Sequence, residues 1–182
     1  MKDNELWLIE QSRKGNVDAF EELIKDYKKS AFNIALKFLR NVEDAEDVSQ
    51  EALIKVFKNI KNFNMQSTFK VWMYRIVVNA CLDFKRKKTI DAYPIDDVLN
   101  ITGNNNNNPD AMIEKNYTSE IVNSSINKLE DDFKTIIILR DIQGFSYNEI
   151  SEILSCNLGT VKSRISRARK TLKDIIDLER EM

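Results

Sequence analysis

Histidine is missing altogether from this 182-residue chain, and cysteine occurs only twice, as Cys81 and Cys156. Without an imidazole, and with two thiols far apart in the sequence, the usual zinc ligand sets cannot be assembled, and histidine acid–base work is excluded. No metal and no cofactor is expected. No glycine-rich loop ends in Gly-Lys-Ser/Thr and no nucleophile motif occurs. The paired carboxylates Asp131 and Asp132 fall on a capping turn, so the chain reads as a protein that is not an enzyme and has no small-molecule substrate. The longest apolar runs, such as Ile136 to Leu139, are far too short to span a bilayer. The N-terminus lacks a basic start followed by an apolar core. A cytoplasmic protein with free thiols is expected.

What is present is helical pattern. Apolar residues make up 42% of the chain and charged ones 31%, which suits one or two small, folded, all-α domains. The net charge of −1 hides a segregation of acidic and basic residues into different stretches, so the whole-chain balance is a poor guide to partners.

The organising stretch is Ser146 to Leu172. Ser146 followed by Glu149 is a capping box, and Ile150, Ile153 and Leu154 give a short helix its apolar stripe. Ser155, Cys156 and Asn157 interrupt it. Val161, Ile165, Ala168 and Leu172 then recur at the spacing of a second amphipathic helix, which makes a helix-turn-helix. The outer face of the second helix carries Lys162, Arg164, Arg167, Arg169, Lys170 and Lys173, with no acidic residue from Asn157 through Lys173. A solvated basic surface is the ordinary account of a charge run. The unbroken sign, the hairpin, and Gly159, Thr160 and Ser163 in the first turns favour approach to phosphates and base edges in a major groove.

Taken in order, residues 4 to 14 read as a short helix closed by Gly15, with Leu6, Ile9 and Trp7 inward. A second helix starts near Asn16 or Asp18, buries Phe20, Leu23, Ile24, Tyr27, Ala31, Ile34, Ala35, Phe38 and Leu39, and ends near Asn41. A third, Glu43 to Asn59, repeats Ala45, Val48, Ala52 and Val56, and its first half is crowded with acid. Carboxylates suit a helix N-terminus; the alternative is a docking surface for a basic partner on which Asp44, Asp47, Gln50 and Glu51 project together. Phe63 to Phe69 is a polar loop between aromatic ends. A fourth helix follows with Phe69, Trp72, Ile76 and Ala80 on one face, Lys70, Arg75 and Asn79 flanked by Tyr74 on the other, and Lys85 to Lys88 at its end. Basic residues interleaved with aromatics suit an opened nucleic acid, although Trp72 at helical spacing is more often core than a base platform.

Both prolines, Pro94 and Pro109, fall in an acidic, aperiodic stretch with an asparagine run, read as a linker over 89–118. It separates an N-terminal domain, 1–88, from a C-terminal domain, 119–182, whose first helices bury Ile121, Ile126, Leu129, Phe133, Ile136, Ile137 and Leu139, with Gly144 as the break before Ser146.

Three stretches together, Asp44 to Phe57, Phe69 to Asp83 and Leu129 to Leu172, resemble the extracytoplasmic-function sigma factors, small bacterial transcription-initiation subunits of the sigma-70 family. With Arg13 to Tyr27 the resemblance covers nearly the whole chain except the linker. It implies two helical domains, a sigma-2-like and a sigma-4-like one. It implies that Asp44, Asp47, Gln50 and Glu51 meet the beta-prime clamp helices of RNA polymerase core, which also offers its beta subunit. Phe63, Asn64, Lys70, Trp72, Tyr74, Arg75, Asn79, Lys85 and Arg86 are then the minus-ten contacts, with a flipped base in the loop pocket. Lys162, Ser163, Ser166 and Arg167 face bases of the minus-thirty-five element, and Tyr147, Gly159, Thr160, Arg164 and Arg169 lie near it, the last four beside phosphates. Ser166 stands where many relatives carry an aromatic residue or histidine, and Asn157 where many carry proline. The implied partners are polymerase core, double-stranded and melted promoter DNA, and a membrane-anchored anti-sigma factor that would hold the chain at the inner face of the membrane; the free protein is expected to be monomeric.

Two rivals fit part of the pattern. A self-contained dimeric helix-turn-helix regulator explains Ser146 to Leu172 but leaves the acidic third helix idle. A helical adaptor that binds only proteins uses that helix but not the basic one.

Overall fold

A computed structural model describes residues 3–91 and 121–181, and among them there is helix and turn but no strand. They form two compact units, as the all-α, two-domain reading requires. No described helix is long and apolar enough to cross a membrane. The expected linker lies outside the described residues except at its start.

The N-terminal unit holds α1 (Asp3–Arg13), α2 (Val17–Leu39), α3 (Val42–Asn59), a 3-10 turn (Ile60–Asn62) and α4 (Phe69–Asp91). Local chemistry sets these boundaries. Gly15 takes φ +90, which a side chain resists, and this lets the Asn16 amide close back on the Gln11 carbonyl at 3.1 Å. Asn16 then caps α2, its Oδ1 accepting from the Ala19 amide at 3.0 Å. Arg40, left-handed at φ 61, ends α2, and Asn41 caps α3 by accepting from the Asp44 amide at 2.9 Å. α2 packs against α1, α3 and α4 and is the hub of the unit. Small buried residues, Ala31 and Ala35 on α2 and Ala45 and Ala52 on α3, allow close approach of the helices.

The expectations for α1 and for the end of α4 are corrected. Leu8, Ile9 and Ser12 form the inward stripe of α1, so Leu6 is only half-buried and Trp7 faces solvent at 57% exposure. The fourth helix also continues to Asp91, through the first residues read as linker.

The C-terminal unit comprises α5, helical over the described residues 121–128, then α6 (Asp131–Ile137), a π-helical turn (Ile138–Ile142), α7 (Tyr147–Ile153) and α8 (Leu158–Glu181). α6 packs on α8. Ile136, Ile137, Ile138 and Leu139 are fully buried, whereas Phe133 and Ile121, expected inside, are half-buried. The widened π turn places the Gln143 amide on the Ile138 carbonyl at 3.0 Å, and Gly144 at φ +73 lets the Phe145 amide reach Leu139 at 3.0 Å. Phe145 is thereby buried.

The far end of α8, which carries no obvious pattern, is fastened to α5 by one carboxylate. Glu179 accepts from Lys128 Nζ at 2.7 Å, from Ser125 Oγ at 2.6 Å and from Ser124 Oγ at 2.8 Å. The Lys128 bond first, and then the two hydroxyls, hold its carboxyl down at about 2 against an ordinary 4.5. A depressed carboxyl contributes stability that is complete above the unfolded value and is lost as pH falls through the folded one. Glu179→Gln should therefore lower the melting temperature near neutral pH, and the difference from wild type should shrink between about pH 5 and pH 2. Melting curves with a constant difference across that range would contradict the role given to this carboxylate.

Candidate functional site

Three surfaces take up the residues singled out above. The first is on α3, where Ala45, Val48, Ala52 and Val56 are buried and so turn Asp47, Gln50, Glu51 and Lys55 outward. Asp44 departs from that set. It is half-buried, and its carboxylate meets Lys88 Nζ, at the end of α4, at 2.7 Å. Glu51 bonds Lys55 one turn on at 2.9 Å, which holds its carboxyl below the usual range. Ile54, missed in the sequence, is 53% exposed beside these groups; its place at i+3 and i+4 from Glu51 and Gln50 was the available signal.

The second surface is the loop before α4. Phe63, Phe69 and Trp72 form one aromatic cluster, with ring centroids 5.1 Å apart for Phe63 and Trp72 and 5.9 Å for each of the other pairs. Tyr74 packs edge-on against Tyr27 at 6.2 Å and bonds Ser30. The Phe63, Phe69, Trp72 and Tyr74 rings are buried, so Trp72 takes the core position that its spacing favoured, and Phe63 and Tyr74 show no exposed ring to bases in this structure. They anchor the loop instead. Arg13 of α1 helps, donating from Nη2 to the Phe63 carbonyl while Glu10 holds its other nitrogen at 2.7 Å. Between these anchors the chain turns out through Asn64, whose Oδ1 accepts from the Gln66 amide at 3.2 Å, and Met65 at φ 60. Thr68 caps α4, accepting from the Val71 amide at 3.3 Å.

Along α4, Arg75, Asn79 and Arg86 recur at i, +4 and +11 and share one outward face, with Asn79 and Arg86 exposed. Lys70, expected with them, lies about 140° round the helix from Arg75 at ~100° per residue. Lys85 is half-buried, and Arg86 sits 3.5 Å from Asp83.

The third surface is the helix-turn-helix. Its capping box is present in both directions: the Glu149 amide donates to Ser146 Oγ at 3.2 Å and the Ser146 amide to Glu149 Oε2 at 2.8 Å. Ser155 at φ 50 ends α7, with the Cys156 amide on the Ser151 carbonyl at 3.0 Å. Asn157 caps α8, its Oδ1 accepting from the Thr160 amide at 2.8 Å and the Thr160 hydroxyl at 2.9 Å. Gly159 fits this cap, since a Cβ there would come within 3.3 Å of the same oxygen. Tyr147 is half-buried under Arg140, whose guanidinium lies 4.9 Å from the ring centre and donates to the Phe145 carbonyl at 2.7 Å.

Burial of Val161, Ile165 and Ala168 points Ser163, Ser166, Arg167 and Lys170 directly away from the unit, with Lys162 exposed beside them. Arg164 and Arg169 are different. They flank the buried stripe on opposite sides, Arg164 lying 3.1 Å from Asp132 of α6 and Arg169 2.5 Å from Asp141 of the π turn. Both were expected near phosphates, and each has a carboxylate of its own unit as partner.

The cysteines are free, Cys81 buried and Cys156 half-buried; burial pushes the Cys81 thiol up to about 12, which keeps it protonated and inert. Among the described residues no group of three acidic, cysteine or histidine side chains could hold a metal ion.

The burial assignments make a direct prediction. Trp72→Ala should cost about 3–5 kcal/mol of stability through the cavity it leaves, whereas Asn79→Ala on the exposed face should stay within about 0.5 kcal/mol of wild type. Denaturant unfolding measures both, and a Trp72→Ala protein as stable as wild type would refute the core position of that ring.

Comparison with known proteins gives the following. Sigma-70 region 2 matches residues 23–90 and sigma-70 region 4 matches residues 119–172. The chain is similar to the ECF RNA polymerase sigma factor SigW of Bacillus subtilis (strain 168), 35% identical over 173 residues that cover 91% of this chain and 92% of the relative. It is 32% identical to the ECF RNA polymerase sigma-E factor of Escherichia coli (strain K12), covering 91% and 90%. Among solved structures, the sigma factor RpoE in complex with the anti-sigma factor NepR from Bartonella quintana aligns at a TM-score of 0.71 with 27% identity, covering 87% of this chain and 96% of that one. CnrH in complex with the cytosolic domain of CnrY shares the fold, at a TM-score of 0.71 and 23% identity over 97% and 99% of the two chains.

Proposed function

This chain belongs to the extracytoplasmic-function branch of the sigma-70 family of RNA polymerase sigma factors, and from that premise we propose how its exposed faces divide the work. As a sigma factor it is a transcription-initiation subunit that binds RNA polymerase core and promoter DNA. One observation carries the division of labour: two helices on two separate units bury small apolar stripes and turn out faces of opposite sign, acidic on α3 and basic on α8.

The α3 face, Asp47, Gln50 and Glu51 with Ile54 among them, docks on the beta-prime clamp helices of the core, its charge matched to a basic coiled-coil surface. Asp44 supports that face from its pair with Lys88. The loop at Asn64, held out between buried aromatic anchors, receives the minus-ten strand. Arg75, Asn79 and Arg86 line its path, with Lys70 and Lys85 as flanking charge. α8 enters the major groove of the minus-thirty-five element, where Lys162, Ser163, Ser166 and Arg167 face bases and Gly159 and Thr160 approach phosphate at the helix start. The residues after Asp91 and before 119 link the two modules, whose sequence matches stop at 90 and resume at 119.

The factor acts as a monomer in the cytoplasm, at the nucleoid, and supplies specificity to an enzyme rather than catalysis of its own. The sigma factor RpoE aligned with it is in complex with the anti-sigma factor NepR in its solved structure, and an anti-sigma factor, membrane-anchored, is the partner we propose for the resting state.

Docking is open to test. Asp47→Lys with Glu51→Lys replaces attraction by repulsion at both positions and should weaken binding to purified core on the order of tenfold or more. Both side chains are exposed, so circular dichroism should be unchanged. Wild-type affinity in a pull-down with core would remove α3 from the interface.

A further inference from the structure

The carboxylates beside the recognition helix have a use that the docking picture leaves out. α8 shows no acidic residue on its own sequence through Lys173, yet the unit brings two acids to its flanks from elsewhere. Asp141, on the π turn, takes Arg169 side-on, with Oδ2 3.2 Å from Nε and Oδ1 2.5 Å from Nη2. Two parallel bonds fix the guanidinium plane and cancel its charge locally. Asp132, in the first turn of α6, makes a single 3.1 Å contact with Arg164 and is itself 68% exposed, a looser pairing. Among the described residues no acid pairs with the outward Ser163, Ser166, Arg167 or Lys170, and Lys162 is exposed on the same side.

A basic helix binds any DNA in proportion to the phosphates it neutralises, and that term carries no sequence information. Cancelling flank charges therefore reduces affinity for every sequence while leaving groups that reach base edges untouched. Resting on the assignment of α8 to the minus-thirty-five groove, we propose that Asp141 sets the sequence-independent part of DNA affinity: by holding Arg169 as a neutral pair it keeps that cation from phosphate, lowers binding to any DNA and leaves discrimination to Lys162, Ser163, Ser166 and Arg167. Asp132 does the same to a smaller degree through Arg164. The π turn supports this arrangement, since it carries Asp141 toward α8 and Arg140 onto Tyr147 of α7 at once.

The test uses the full chain bound to polymerase core, with promoter fragments carrying an intact or a scrambled upstream element, over a series of salt concentrations. Asp141→Asn frees one cation, so the slope of log affinity against log salt should steepen by about 0.9, and affinity for the scrambled fragment at 0.1 M salt should rise about eightfold. Affinity for the intact fragment should rise by the same factor, so that the ratio between the fragments stays at its wild-type value, and Asp132→Asn should show a smaller rise in both. The double variant Asp141→Asn with Arg169→Gln should return the slope to the wild-type value, which a purely structural role for the pair would not produce. An unchanged slope in Asp141→Asn, or a double variant that stays altered, would overturn the proposal while leaving the groove assignment in place. Arg167→Ala separates the two: if it leaves discrimination intact, or if wild type does not discriminate at all, the groove assignment itself is wrong and the proposal falls with it.

Discussion

A helix that buries one narrow stripe has no further choice about which side chains it shows, and the exposed chemistry of this protein follows from that constraint. On α8 the stripe is Val161, Ile165 and Ala168; on α3 it is Ala45, Val48, Ala52 and Val56. Ala168, Ala45 and Ala52 supply no bulk, so the rotation is set by close helix contact as much as by apolar area. Turning either helix by one residue would bury a charge, whose desolvation costs far more than any surface ion pair returns. The acidic face of α3 and the basic face of α8 are thus consequences of packing as well as of composition.

Charge then acts twice in this chain. Outward groups present a sign to a partner, and a second set pairs inside each unit: Asp44 with Lys88, Asp132 with Arg164, Asp141 with Arg169 and Glu179 with Lys128. Glu179 is largely covered and also held by two hydroxyls, whereas the first three of these pairs are partly exposed and contribute little stability singly. Their larger effect is on what remains unneutralised, and hence on which basic residues of α8 are available to phosphate. The whole-chain charge of −1 is a sum over faces that never meet the same partner.

Features fixed by neighbours in sequence were legible before the fold was. The capping box at Ser146 and Glu149, the breaks at Gly15 and Gly144, and the stripe of α8 all depend on spacings of a few residues, and each appears where the spacing placed it. What spacing could not supply was the identity of partners far along the chain. Phe63, Trp72 and Tyr74 look like a basic-aromatic surface in sequence, but Phe69, Tyr27 and Ser30 enclose them. Trp7 went the other way, since Leu8 and Ile9 fill the stripe of α1 and leave the indole outside. The partners of Arg164 and Arg169 were not legible because Asp132 and Asp141 lie on a different helix and turn. Glu179 falls in a stretch without pattern, and only the return of α8 past α5 gives it partners.

The central claim is that one chain joins a core-binding face to a promoter-reading one, and run-off transcription with purified polymerase core on genomic fragments tests it most directly. The account predicts transcripts that begin at a small set of sites only when this protein is added, each preceded by two sequence elements separated by roughly two helical turns. Fragments bound by the protein without core at a single two-fold-symmetric site, with no added transcript when core is present, would contradict it.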